Sequence, residues 1–127
     1  MAKSEKNKSK WVHLLADFFN ADADKLRSEK KIMCALRKAL RKNHFRIIKS
    51  GSYKFKTGGQ GVTGFFMLAQ SHAAFHSYPE YGYLALDIYS CGGHNPKPIA
   101  EEIKKYLGKC AATKIIHKRG SNFFKHI

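Results

Sequence analysis

The chain has 127 residues, 43% of them hydrophobic, which is enough for one domain with a real core and small enough that sites are often completed by dimerisation. No run is apolar and long enough to span a membrane, MAKSEKNKSK lacks the apolar core of a signal peptide, and three cysteines without framework spacing argue against a disulfide scaffold, so the cytoplasm is the expected compartment. The 24 Lys and Arg against 9 Asp and Glu give a formal charge of +15 that attracts polyanions, but they are spread along the chain without a recognised nucleic-acid motif, so a primary nucleic-acid role is not expected.

Residues 1–10 read as a flexible basic tail, polar and without periodicity. WVHLLADFF, residues 11–19, suits a largely buried strand ended by Asn20, with His13 a satisfied core histidine inside it. Asp22 or Asp24 then caps a helix running to about Lys42, with Leu26, Ile32, Met33, Leu36 and Leu40 on its apolar face. Strands are predicted at 44–49 and 52–56; the second alternates Tyr53, Lys54, Phe55, Lys56, as half-buried sheet does. Gly58, Gly59 and Gly61 form a flexible turn without the Gly-Lys-Ser/Thr of a phosphate loop. Residues 62–69 read as a strand buried on both faces, 72–77 as an alternating strand pairing nearby, 78–82 as a turn and 83–90 as another strand. Pro96 and Pro98 start a helix through Leu107, with Ile99, Ile103 and Leu107 inward and Gly108 capping it; 111–117 is a last strand and 119–127 a tail. Strands and helices are grouped rather than alternating. The predicted fold is therefore α+β, a two-layer α/β sandwich with a mainly antiparallel sheet and two helices packed on one face.

Chemistry concentrates between Gly61 and Gly93. Gln70-Ser71, His72, His76, Glu80 and Cys91 place a hydroxyl, imidazoles, a carboxylate and a thiol on adjacent strand ends, the inventory of a reactive site. Taken singly, Ser71 reads as a strand-end turn residue, His76 as a half-buried strand histidine and Glu80 as a solvated carboxylate. Cys34, in a helical pattern, and Cys110, after a helix end, read as buried inert thiols, whereas Cys91 opens a glycine turn that presents it. Cys91 and His94 with His72 or His76 lack a second clear ligand pair for zinc, so no metal is expected.

The segments GVTG, QSHAAFHSYPEYGY and DIYSCG resemble the small bacterial and archaeal S-adenosylmethionine decarboxylases, whose pattern runs GVSG, ESH, HTWPEYG or HTYPEYG, then D-hydrophobic-F-T-C-G. The likeness extends from His13-Leu14 to His117-Lys118-Arg119-Gly120. It implies a protein that makes its own cofactor. Attack of the Ser71 hydroxyl on the Gln70 carbonyl gives an ester that eliminates, leaving chains 1–70 and 71–127 with a pyruvoyl group on the second. That ketone forms a Schiff base with the substrate amine and serves as an electron sink for carbon dioxide loss. The resemblance further implies that His76 removes the proton that drives elimination. It makes Thr63 the counterpart of a processing serine, Cys91 the proton donor to the decarboxylated substrate, and Glu80 the ligand of the ribose hydroxyls. It also implies a homodimer with sites at the interface, Ser71 and Cys91 from one subunit meeting Thr63, His76 and Glu80 of the other.

Besides Thr63, this sequence departs from that pattern at three points. Gln70 replaces the usual glutamate before the scissile bond, Tyr78 replaces Trp, and Thr57-Gly58-Gly59-Gln60 stands where the family has a segment like FLPY carrying the aromatic residue that stacks on adenine. Phe55 is the nearest replacement, and with Tyr78 and Glu80 it forms the expected substrate-binding set. Three functions follow in order: decarboxylation of S-adenosylmethionine for polyamine biosynthesis, decarboxylation of ornithine or arginine on the same scaffold, and a non-catalytic basic nucleic-acid-binding module.

Overall fold

The computed structural model describes residues 11–91 and 93–121, so the expected basic tail over 1–10 and most of the C-terminal tail lie outside the described residues. Along the chain these are β1 (Trp11–Phe19), α1 (Ala23–Arg27), α2 (Glu29–Lys42), β2 (Ile47–Lys54), β3 (Val62–Leu68), β4 (Ser71–Tyr78), a 3₁₀ turn (Pro79–Tyr81), β5 (Tyr83–Ser90), α3 (Lys97–Leu107) and β6 (Ala111–Arg119). The six strands form one sheet in the order β2-β3-β4-β5-β1-β6. Every pairing in it is antiparallel. The helices cover one face, giving the expected two-layer α+β sandwich.

Period-two alternation makes that layering possible. Leu14 and Phe18 of β1, Phe66 of β3, Phe75 of β4 and Ile88 of β5 are each at most 1% exposed and share a core with Leu36 and Leu40 of α2 and Ile99 and Ile103 of α3. Each such side chain contributes about 1.5–3 kcal/mol of burial. Ser77, on the same face, donates to the Leu26 carbonyl at 2.7 Å and accepts from the Val62 N–H at 2.9 Å. One buried hydroxyl thus ties β3 and β4 to α1.

Several sequence expectations need correction. The strands at 11–19 and 62–69 bury one face only: Leu15, Phe65 and Met67 are 39%, 46% and 48% exposed. Both read as continuous apolar runs because their second face is apolar without being covered by the helices. The single helix to Lys42 is two, because Ser28 leaves helical geometry (φ −84°, ψ 92°) and its hydroxyl accepts the Lys31 N–H as the cap of α2. The first of the two expected helices is thus a broken pair, and three helical segments line the sheet among the described residues. Asp22 does stand at the N-cap of α1, without a side-chain cap bond. The two strands predicted at 44–49 and 52–56 are one, β2, with a register shift between Ile47 and Lys49. Gly51 lies within it under the Phe65 ring, where a Cβ would come within 2.9 Å of the ring, so this glycine serves close packing rather than a turn. Cys34 is exposed and Cys110 only partly buried.

The later elements stand as expected. Gly82, at φ 63°, closes the 3₁₀ turn, and Pro98 lies in the first turn of α3 with Ile99, Ile103 and Leu107 buried. Gly108 caps its end at φ 80°.

Candidate active site

The β3–β4 hairpin and the end of β5 carry the reactive residues. The hairpin turns through Ala69 and Gln70, since Leu68 pairs with Ser71. Gln70 takes φ 62°, the left-handed position that glycine or asparagine ordinarily fills in so short a turn. Ser71 follows at the first residue of β4. Because β4 pairs with β5 from His72↔Tyr89, the chain leaving β5 passes beside it, and the Cys91 N–H donates to Ser71 Oγ at 3.0 Å. Cys91 Sγ donates to Gln70 Oε1 at 3.9 Å. Gln70, Ser71 and Cys91 thus form one cluster.

A second cluster lies at the other end of the same strands. Thr63 and His76 are cross-strand partners, with Thr63 Oγ1 and His76 Nδ1 hydrogen-bonded at 2.9 Å. Both line a cavity of about 410 Å³ together with Phe55, Tyr78 and Glu80. All five candidate residues other than the first cluster therefore share one cavity, and Phe55 does reach it. The loop at 57–60 is a fixed part of the wall: the Gln60 N–H donates to the Thr57 carbonyl at 3.2 Å, and Arg27 Nε donates to the Gly59 carbonyl at 3.3 Å. A Cβ on Gly59 would collide with the Glu80 carboxylate, and one on Gly61 with the Ser77 carbonyl. The expected turn is present, and within it Gly59 and Gly61 are needed for close approach.

The two clusters do not meet within one chain. Ser71 and His76 are five residues apart on β4, roughly 17 Å along the strand, and odd spacing sends their side chains to opposite faces.

The register also assembles groups that sequence reasoning left separate. His13, Tyr89 and His72 fall in one row across β1, β5 and β4 on the face without helices. His72 stacks on Tyr89 with ring centroids 5.7 Å apart, and the Arg119 guanidinium lies over the same Tyr89 ring, 5.6 Å from its centroid. His13, read as a core histidine, is instead only partly buried on this face, with Nε2 3.1 Å from Asp87 Oδ2. His13, His72 and Asp87 offer three potential ligand atoms within 4.8 Å of one another. Arg119 stands 3.2 Å from His13 Nδ1; a guanidinium only donates, so Nε2 carries the proton and donates to Asp87. That tautomer makes a satisfied His–Asp pair rather than a metal ligand. The weighed zinc ligand His94 packs its ring on Phe45, 5.1 Å between centroids. Farther along the same face Phe19, Tyr83 and Tyr78 stack at 5.4 and 5.5 Å. Tyr83 donates to Asp17 at 2.6 Å, and that bond, with burial adding, pushes its hydroxyl pKa up to about 12. The only sequence signal for these groups was the apolar-polar alternation that puts odd positions of β1 and β5 on one face.

Comparison with known proteins places this geometry in a family. The model of the S-adenosylmethionine decarboxylase family matches residues 12–120. An S-adenosylmethionine decarboxylase proenzyme of Picrophilus torridus is 40% identical over 81 residues, 64% of this chain and 61% of that protein. The proenzyme of Aquifex aeolicus is 34% identical over 110 residues, 86% of this chain and 80% of the relative. The crystal structure of the adenosylmethionine decarboxylase from Aquifex aeolicus superposes with a TM-score of 0.78 at 31% identity, covering 88% of this chain and 92% of that one.

Proposed function

The chain belongs to the S-adenosylmethionine decarboxylase family, and we propose that it is a self-processing, pyruvoyl-dependent enzyme that decarboxylates S-adenosylmethionine to the aminopropyl donor for spermidine synthesis. The observation that carries the processing step is the geometry at 70–71. Gln70 is held in a left-handed conformation at the bond to be cut, and the Ser71 hydroxyl is fixed beside it by the Cys91 N–H. Ser71 Oγ attacks the Gln70 carbonyl carbon, the peptide C–N bond breaks, and an ester to Oγ replaces it while the nitrogen gains a proton. Removal of the Ser71 α-proton then expels the Gln70 carboxylate. The resulting dehydroalanine takes up water, releases ammonia and leaves a pyruvoyl group at the head of residues 71–127.

The residues around Ser71 fit such a group, since the Ser71 side chain stands at a strand end against the Cys91 N–H, with the Cys91 thiol on neighbouring Gln70, rather than inside the packed core. Once formed, the group supplies a ketone that withdraws electrons from the bond losing carbon dioxide. The chain's own residues do the rest. Cys91 returns a proton to the substrate carbon. Glu80 accepts from the ribose hydroxyls, and Phe55 and Tyr78 give adenine its stacking surface in the same cavity. Thr63 orients His76 through their shared hydrogen bond, so that His76 serves as the base of elimination.

Both roles need Ser71 and His76 together, which one chain does not provide. A two-fold homodimer joined through the open sheet faces, where Leu15, Phe65, Met67 and Ile115 are exposed, puts His76 of one subunit at the interface. Ser71 reaches it from the strand-end rim of the partner's sheet rather than from its open face. A decarboxylase of ornithine or arginine is less well supported, because Phe55 stands in the cavity with Glu80, where a nucleoside uses both.

Intact mass under denaturing conditions tests this reading. Two fragments divided between Gln70 and Ser71, the second blocked by a pyruvoyl group, are expected, with Ser71→Ala staying whole. A single full-length mass in the unaltered protein after long incubation overturns it.

A further inference from the structure

The excess positive charge has no use in the chemistry above, since a sulfonium substrate is itself cationic. The fold gathers part of it. Lys31, Lys38 and Lys42 lie along one stripe of α2, at spacings of seven and four residues, and α3 packs beside them. Ala35 and Ala39 are too short to close the seam, and the result is a groove of about 580 Å³ between the helices. Lys105 of α3 enters the same groove, 63 positions beyond Lys42 in the sequence, and among the described residues the only acid lining it is Glu102. Lys42 and Lys105 reach Glu102 at 3.3 and 3.9 Å, with 70% and 77% of their side-chain surface exposed, so both pairs exchange readily for another anion. Lys31 and Lys38 form no ion pair among the described residues. The groove therefore carries four cations against one carboxylate.

We propose that this groove binds the phosphate backbone of single-stranded nucleic acid, without base preference. At 1.5 Å rise per residue the three α2 lysines sit roughly 10 and 6 Å apart along the axis, close to three and two nucleotide steps of about 3.4 Å in a strand stacked as it is within a duplex. Packed helices leave a furrow that admits one strand, their axes being only about 8–10 Å apart. Besides Glu102, the lining is ammonium groups, two alanines, Cys34 and Tyr106, whose hydroxyl is already committed to the Lys25 carbonyl, with no carboxamide or guanidinium placed to read a base edge. The groove lies on the helix layer, opposite the open sheet face, so it stays accessible in the proposed dimer and does not depend on how the decarboxylase site works. No sequence motif marks it, because its two halves lie on separate helices.

Binding of a fluorescent 20-nucleotide single-stranded RNA to the full chain, measured from 50 to 300 mM salt, tests the assignment. Four phosphate contacts predict that log K falls against log salt with a slope of about −2.8. Replacing Lys31, Lys38, Lys42 and Lys105 together by glutamine should cut affinity at 50 mM salt at least tenfold and flatten the slope, with the melting temperature unchanged. A second variant removes four exposed lysines elsewhere, Lys49, Lys56, Lys114 and Lys118, with the same change in net charge, and should keep most of the binding. Equal losses in the two variants, or none in the first, overturn the groove as the site, and tighter binding of a duplex of the same length overturns the single-strand assignment.

Discussion

At the scale of single residues, two backbone positions control what the reactive side chains can do. Gly59 leaves the space that the Glu80 carboxylate fills. Because that carboxylate is the far end of a flexible side chain, Gly59→Ala should fold normally while pushing Glu80 aside. Steady-state kinetics should show KM for S-adenosylmethionine raised about fivefold to tenfold, the cost of weakening a charged hydrogen bond, with kcat and self-processing nearly unchanged. An unaltered KM would mean that Glu80 does not hold the substrate. Gln70 is the complementary case. A non-glycine residue in the left-handed region stores about 1 kcal/mol, which is released when the bond to Ser71 is cut. Gln70→Gly removes that strain and should slow cleavage by up to about fivefold, followed as the fraction of full-length chain against time on a denaturing gel. An unchanged rate would separate the strain from the chemistry.

At the scale of elements, one face of the sheet builds the fold and the other builds the site. Helical stripes and strand alternation on the buried face were legible in the sequence: Leu26, Ile32, Leu36 and Leu40, then Ile99, Ile103 and Leu107, all point inward as their spacing requires. Breaks were less legible, because a serine inside a helical pattern looks like any polar residue until its hydroxyl caps a new helix, as Ser28 does. The buried link between the layers, Ser77, was invisible for the same reason. Ser77→Ala leaves the Val62 N–H and the Leu26 carbonyl without their partner and should destabilise the protein by about 2–3 kcal/mol in urea unfolding. Since β3, β4 and α1 carry Thr63, His76 and the loop contact of Arg27, self-processing should slow as well. A loss below about 0.5 kcal/mol would mean that water replaces the hydroxyl.

At the scale of the whole molecule, the proposed site is split between subunits, and this has a direct consequence. Assayed at substrate far below KM, a Cys91→Ala chain processed alone should be nearly inactive and a Glu80→Gln chain should keep only about a tenth of the activity. Mixed and allowed to exchange subunits, half the dimers become mixed, each with one intact site, so about a quarter of the unaltered activity should return. No recovery would place the site within one chain and sink the split arrangement. Charge divides along the same architecture: Asp17, Asp87 and Glu80 belong to the open face and the cavity, while the lysine groove lies on the helix layer. By itself the sequence determined the family, the layered α+β class and the identity of the reactive side chains, because motifs, periodicity and turn residues are local properties of the chain. Only the tertiary structure decided that Cys91 fixes Ser71, that Gly59 makes room for Glu80, that His13 belongs to Asp87 and Arg119, and that four lysines share one groove. Each of those depends on register and on packing between segments far apart in the chain, where a shift of one residue would send every side chain to the other face.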